Sequence, residues 1–200
     1  MTNNGDIFEA AKSGNVTMMY FFMECNVTDL NSINIDGKTP LYLAAQEGHE
    51  ESVKLLLAHA EIDVNKGIET GTIAGAPPIW IASRYGHEEV VKLLLAHQGT
   101  DVNLGIRIGF WAGITSLYMA CGYGHAEVVK LLLAHHEVDV NKGRTSDGST
   151  PLMVAVAYHP ELLQILLQHH LLNVNQARHS DGKTPLFLAA FLGHDSGNKY

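Results

Sequence analysis

The segment Asp36-Gly-Lys-Thr-Pro-Leu-Tyr-Leu-Ala-Ala45 returns almost intact as Asp181-Gly-Lys-Thr-Pro-Leu-Phe-Leu-Ala-Ala190. Looser copies lie between them: Pro77-Pro-Ile-Trp-Ile-Ala82, Thr115-Ser-Leu-Tyr-Met-Ala120 and Thr150-Pro-Leu-Met-Val-Ala155. The marker positions Pro40, Pro78, Ser116, Pro151 and Pro185 are spaced by 38, 38, 35 and 34 residues. A Gly-His pair follows at Gly48, Gly86 and Gly124, then the runs Val53–Leu57, Val91–Leu95 and Val129–Leu133, then Asp63-Val-Asn65, Asp101-Val-Asn103 and Asp139-Val-Asn141. Repetition at such a period constrains the fold strongly, because each unit must bury its apolar face on the next.

Each unit reads as two short helices. Thr39, Thr115, Thr150 and Thr184 are placed to cap a helix N-terminus, and Pro40, Pro151 and Pro185 suit the first helical position. The glycine of each Gly-His pair can take the positive φ of a helix C-cap. Glu50, Glu51, Glu88, Glu89, Glu127 and Glu161 fall in the first turn of the second helix, where the helix dipole favours them. Helices of about ten residues are marginal alone in water, so stacking must supply their stability. The expected fold is therefore all-α, a solenoid of stacked helix–turn–helix units forming one cooperative domain over residues 1–200.

These motifs resemble the ankyrin repeat: the Thr-Pro-Leu opening, the Gly-His pair, the Val-Lys-Leu-Leu-Leu run and the closing Asp-Val-Asn. The resemblance covers about residues 6–194 and divides the chain into a worn first unit at about 2–35, units at 36–73, 74–111, 112–146 and 147–180, and a partial unit at 181–200. It implies an L-shaped stack with hairpin-like loops, and protein partners bound on the concave face. The departures are specific. The family places a bracing histidine where this chain has Tyr42, Trp80, Tyr118, Met153 and Phe187, which suggests apolar packing in place of polar bracing. Pro77 replaces a capping threonine, and Tyr158-His159-Pro160 lacks the glycine. Leu57, Leu95, Leu133 and Leu167 each precede an asparagine by eight residues, a pattern resembling that used by asparagine hydroxylases. The other reading of Asn65, Asn103, Asn141 and Asn175 is that they hold their loops by backbone bonds.

Family units are about 33 residues long, so the 38-residue spacings need extra loop. It falls mainly in 66–76 and 104–113, whereas the loops at 143–148 and 177–182 are polar and nearly ordinary. Ile106, Ile108, Phe110 and Trp111 are unusually apolar for a hairpin tip, and with Arg107 they have the composition of an interface hot spot. The alternative is that the two long hairpins pack on each other. By the same resemblance, Arg84, Tyr85, Tyr123 and Tyr158 face the groove, where the tyrosines form either an exposed aromatic stripe or a cover over the seam between units. The candidate partner-binding residues are thus Arg84, Tyr85, Arg107, Ile108, Phe110, Trp111, Tyr123 and Tyr158.

The net charge of −8 repels a phosphate backbone and disfavours nucleic acid as a partner. No leader or membrane-spanning run stands out, and Cys25 and Cys121 lack metal spacing, so a reduced, cytoplasmic protein off the membrane is expected. No catalytic motif and no cofactor-binding motif appears, so the expected function is a non-catalytic protein–protein interaction scaffold. The alternative is a metal-binding or metal-responsive protein using the doublets His135-His136 and His169-His170. Most of the twelve histidines, however, fall on the repeat, at the Gly-His corner or the end of the second helix. Equivalent residues there sit about 8–10 Å apart, too far to share one ion. Corner histidines are expected to bond backbone, and terminal ones to face the helix dipole. At the ends, Met18, Tyr20 or Phe22 and Leu188, Phe191 and Leu192 suggest apolar surfaces that support weak self-association.

Overall fold

The computed structural model describes residues 6–24 and 29–193. The first helix of each unit starts as its sequence dictates. In α3 (Pro40–Glu47), Thr39 is extended and its hydroxyl accepts the N–H of Tyr42 at 3.1 Å. Thr115, Thr150 and Thr184 cap α7 (Ser116–Tyr123), α9 (Pro151–Tyr158) and α11 (Pro185–Phe191) in the same way. Pro77 precedes α5 (Pro78–Tyr85) and offers no side-chain cap. The worn first unit supplies α1 (Ile7–Ser13), capped by Asp6, and α2 (Val16–Glu24).

Gly48, Gly86 and Gly124 take φ of 75°, 74° and 78° and end α3, α5 and α7. The chain then turns into α4 (Glu50–Leu57), α6 (Glu88–Ala96) and α8 (Ala126–Leu133). Here Glu51, Glu89 and Glu127 pair with Lys54, Lys92 and Lys130 one turn on. The fourth unit departs from expectation. Without a glycine, His159 ends α9 at φ −139°, and a 3-10 turn (Pro160–Leu162) leads into only a short α10 (Leu163–Leu166). Glu161 therefore sits in that turn and not at the start of a full helix.

First helices stack on first helices from α1 to α11, and second helices on second helices from α2 to α10. One continuous core results, with Leu41, Ile79, Trp80, Leu94, Leu117 and Leu132 among its fully covered members. Burial of such side chains is worth roughly 1.5–3 kcal/mol each, which is how short helices persist. Among the described residues there are eleven α-helices and no strand.

Two ladders lock the register between units. On the helix side, His49, His87 and His125 each direct Nε2 to a carbonyl of the preceding unit: Lys12 (2.9 Å), Gln46 (2.9 Å) and Arg84 (3.0 Å). On the loop side, Asn31, Asn65, Asn103 and Asn141 each donate to a carbonyl of the next unit and accept a backbone N–H from it. At the ends of the second helices, Nδ1 of His59, His97, His135 and His169 accepts the N–H two residues on and closes a turn.

Candidate functional site

The hairpin tips form a second row beside the helices, each tied to the next by a backbone bond. Glu69 N–H donates to Gly37 O (2.9 Å), Arg107 to Ala74 (3.1 Å), Thr145 to Ala112 (2.8 Å) and Ser180 to Asp147 (3.4 Å). The long loops divide, residue by residue, between packed and open positions. Ile68 and Ile106 are buried in the stack, as the packing alternative requires. Ile108, Phe110 and Trp111 stay 62%, 63% and 45% exposed, as the interface reading requires. Phe110 and Trp111 meet edge to face at 5.2 Å.

The cation beside this pair is not Arg107, whose stem covers Gly75. It is Arg144, whose guanidinium lies 4.6 Å from the Phe110 ring and 5.9 Å from the Trp111 ring. Asp147 grips Arg144 from its own hairpin, two-pronged, through Nε and Nη2. Burial pushes the Asp147 carboxyl up. The Arg144 guanidinium and the Ser149 backbone and hydroxyl outweigh it and hold the carboxyl well below the usual range.

Along the first helices, Tyr85, Tyr123 and Tyr158 are all exposed, which makes the stripe a surface feature more than a seam cover. Arg84 lies among three rings, 6.0 Å from Trp80, 5.7 Å from Tyr85 and 5.6 Å from Tyr123. Between helices and hairpins runs a groove of about 530 Å³. Four of the eight candidate partner-binding residues line it: Arg84, Trp111, Tyr123 and Tyr158. Tyr85 and Phe110 flank it through Arg84 and Arg144, while Arg107 and Ile108 are outside its lining.

Sequence reasoning missed Arg144, Asp147 and Arg178, all of which line the groove. The signal was an Arg-x-Ser-Asp-Gly pattern, Arg144-Thr-Ser-Asp-Gly148 and Arg178-His-Ser-Asp-Gly182, repeated in both hairpins. In each, the arginine pairs with the aspartate three residues on.

The aromatic residues at the bracing position behave differently from one another. Tyr42 and Met153 are buried as apolar packing predicts, and the Tyr42 hydroxyl has no partner. Trp80 corrects the expectation, because its indole N–H donates to Ile114 O of the next unit at 3.0 Å. Phe187 stays about half exposed. Cys121 is fully buried, and burial pushes its thiol up, away from reactivity; Cys25 lies outside the described residues. The doublets His135-His136 and His169-His170 stack ring on ring at 4.9 and 5.1 Å. Among the described residues no three histidine, cysteine or carboxylate groups converge on a metal-sized centre, and no helix is long and apolar enough to cross a membrane. Asn65, Asn103 and Asn141 are engaged across units, which fits the reading that they hold their loops.

The family model described as ankyrin repeats (3 copies) matches residues 7–106 and 117–200. The chain is similar to cortactin-binding protein 2 of Ornithorhynchus anatinus, 40% identical over 58 residues, covering 28% of this chain and 4% of that protein. It is similar to ankyrin repeat and SAM domain-containing protein 6 of Mus musculus, 38% identical over 68 residues, covering 34% of this chain and 8% of that protein. A putative glutaminase 2 of Caenorhabditis elegans is 38% identical over 61 residues, covering 30% of this chain and 10% of that protein. The matches thus span a tenth or less of these relatives' lengths. With the family model matched over most of its length and the capped, stacked helix pairs in place, the chain belongs to the ankyrin repeat family.

Proposed function

We propose that this chain is a non-catalytic scaffold that holds a partner protein in the groove between its first helices and its hairpin tips. Ankyrin repeats are in general protein–protein interaction modules, which supports the class of function. The observation that carries the site is the exposed aromatic surface along the groove, where Tyr123, Tyr158 and Trp111 line it and Tyr85 and Phe110 flank it. Exposed tyrosine, tryptophan and arginine are the residues that dominate interface energies. The net charge of −8 favours a protein over nucleic acid. The free Cys121 thiol accords with a cytoplasmic setting. The exposed apolar residues at the two ends support weak self-association beside the main role.

The test is quantitative affinity capture from native lysate with wild-type chain and the Trp111→Ala/Tyr123→Ala variant. Both side chains are half-exposed, so the variant keeps its fold by circular dichroism. Captured proteins should fall about tenfold or more in the variant. An unchanged set of proteins at unchanged levels rejects the groove as the site.

A further inference from the structure

Arg84 is the uncompensated cation of the groove. Arg144 is held by Asp147 and Arg178 by Asp181. Among the described residues Arg84 makes no ion pair. Its Nε is buried and has no hydrogen-bond partner. Three aromatic rings surround the guanidinium at 5.6–6.0 Å and supply no hydrogen-bond acceptor of the carboxylate kind. A buried donor left unpaired is unfavourable, and a planar fork beside a cavity is the geometry that receives a carboxylate two-pronged.

The floor beyond Arg84 is small. The equivalent position on α7 is Gly122, where an added Cβ would meet only Val154, at 3.5 Å, and Ala157 continues the floor on α9. Met119 and Val154 give that floor an apolar surface, with Tyr123 and Tyr158 beside it. One stretch of groove thus offers a cation and then an apolar trough.

We propose that the groove takes an extended peptide segment of a partner protein, with an aspartate or glutamate side chain on Arg84 and an apolar side chain over Gly122 and Ala157. This rests on the protein-binding reading above. Neighbouring stacked helices are about 8–10 Å apart and an extended chain rises about 3.3 Å per residue, so acid and apolar residue are two to three positions apart. A carboxylate fits better than a phosphate group. One free guanidinium matches one charge, and Asp147 in the groove together with the acidic chain repels a dianion.

The experiment pans a random 12-residue peptide display library on the full chain and measures selected peptides by fluorescence anisotropy. Acid-bearing peptides are expected to dominate. Arg84→Gln should weaken them at least about tenfold, with the peptide's acid-to-amide change adding little further loss on that variant. Arg84→Glu should regain affinity for the peptide whose acid is changed to arginine, which separates charge pairing from any damage to the fold. Peptides that need Trp111 and Tyr123 but lack an acid and ignore Arg84→Gln would overturn the Arg84 assignment and leave the groove standing. Peptides indifferent to Trp111→Ala and Tyr123→Ala, or no binders at all, would overturn the groove and this inference with it.

Discussion

A single methyl group at Gly86 would meet the ring of His125. The residue takes φ 74°, and a Cβ there would lie 2.6 Å from His125 Nδ1. The ring cannot swing away freely, since Nε2 is bonded to Arg84 O. The Gly-His corner is thus one device spread over two units. Gly109, by contrast, takes φ 82° with open space around its would-be Cβ. Gly109→Ala should cost only the left-handed backbone strain, about 1–2 kcal/mol. Gly86→Ala should cost that and a further roughly 1–3 kcal/mol of overpacking. Denaturant midpoints of the two variants check this, and equal shifts would remove the interlock. A second pair divides the aromatic substitutions. Trp80→Phe removes the N–H that reaches Ile114 O, which keeps the Ile106 N–H, and should lose about 0.5–1.5 kcal/mol in chemical denaturation from the bond, besides the packing of the larger ring. Tyr42→Phe removes a buried hydroxyl that bonds nothing and should be neutral or stabilising in the same measurement. The sequence shows an aromatic in each place. Only the donor chemistry of the indole, combined with the position of the next unit's backbone, separates the two.

The capped helices were legible because their signals are local. A threonine before Pro-Leu and a glycine before histidine act within a few residues of themselves. The groove was legible only in part, because its far wall depends on how one hairpin lies against its neighbours. Ile106 and Ile108 are two residues apart in the same loop, yet one is buried and the other open. Arg144 and Arg178 sit in loops of ordinary composition, and the fold makes them lining residues. The hairpin at 143–149 also carries a pH signature. Asp147 has its folded pKa below the ordinary value of 3.8, because Arg144 and Ser149 outweigh the effect of burial. A depressed folded pKa stabilises the fold above the unfolded pKa, and that contribution is lost as pH falls through the folded value. Wild-type stability should therefore drop as pH falls below about 4, whereas Asp147→Asn starts weaker at neutral pH and drops less. Thermal melts of both proteins between neutral pH and pH 2 measure the difference, and parallel curves would mean that Asp147 contributes nothing to acid sensitivity.

At the scale of the described stack, each inner helix is covered by a neighbour on both sides, whereas α11 and α2 each have a stacking neighbour on one side. α11 lies on α9, and among its own residues only Pro185 is buried. Leu186 and Phe191 are 74% and 76% exposed, with Phe187 and Leu192 beside them, while Leu188 is half-covered. At the other end Tyr20 and Phe21 are exposed, and Met18 and Phe22, named from sequence, are half-buried. Two arrangements of copies of this stack would cover the α11 face. In one, α11 faces of two copies meet, which closes at a dimer. In the other, α11 meets the α2 end of the next copy, which does not close and grows with concentration. Both ends carry only a few apolar side chains, so the contact should be weak, in the class of transient interfaces. The α11-to-α11 contact is the expected one, because among the described residues that face exposes Leu186, Phe187, Phe191 and Leu192, against Tyr20 and Phe21 at α2. Sedimentation velocity over a concentration series should show wild-type chain shifting toward dimer. Leu186→Glu/Phe191→Glu should return it to monomer, raising the dissociation constant about tenfold or more, since each new carboxylate would have to be desolvated in the contact. Tyr20→Glu/Phe21→Glu should leave the dimer unchanged. If both pairs of substitutions abolish association, the contact is head to tail. A wild-type chain that stays monomeric at the highest concentration would show that these exposed side chains are too few to hold two copies together.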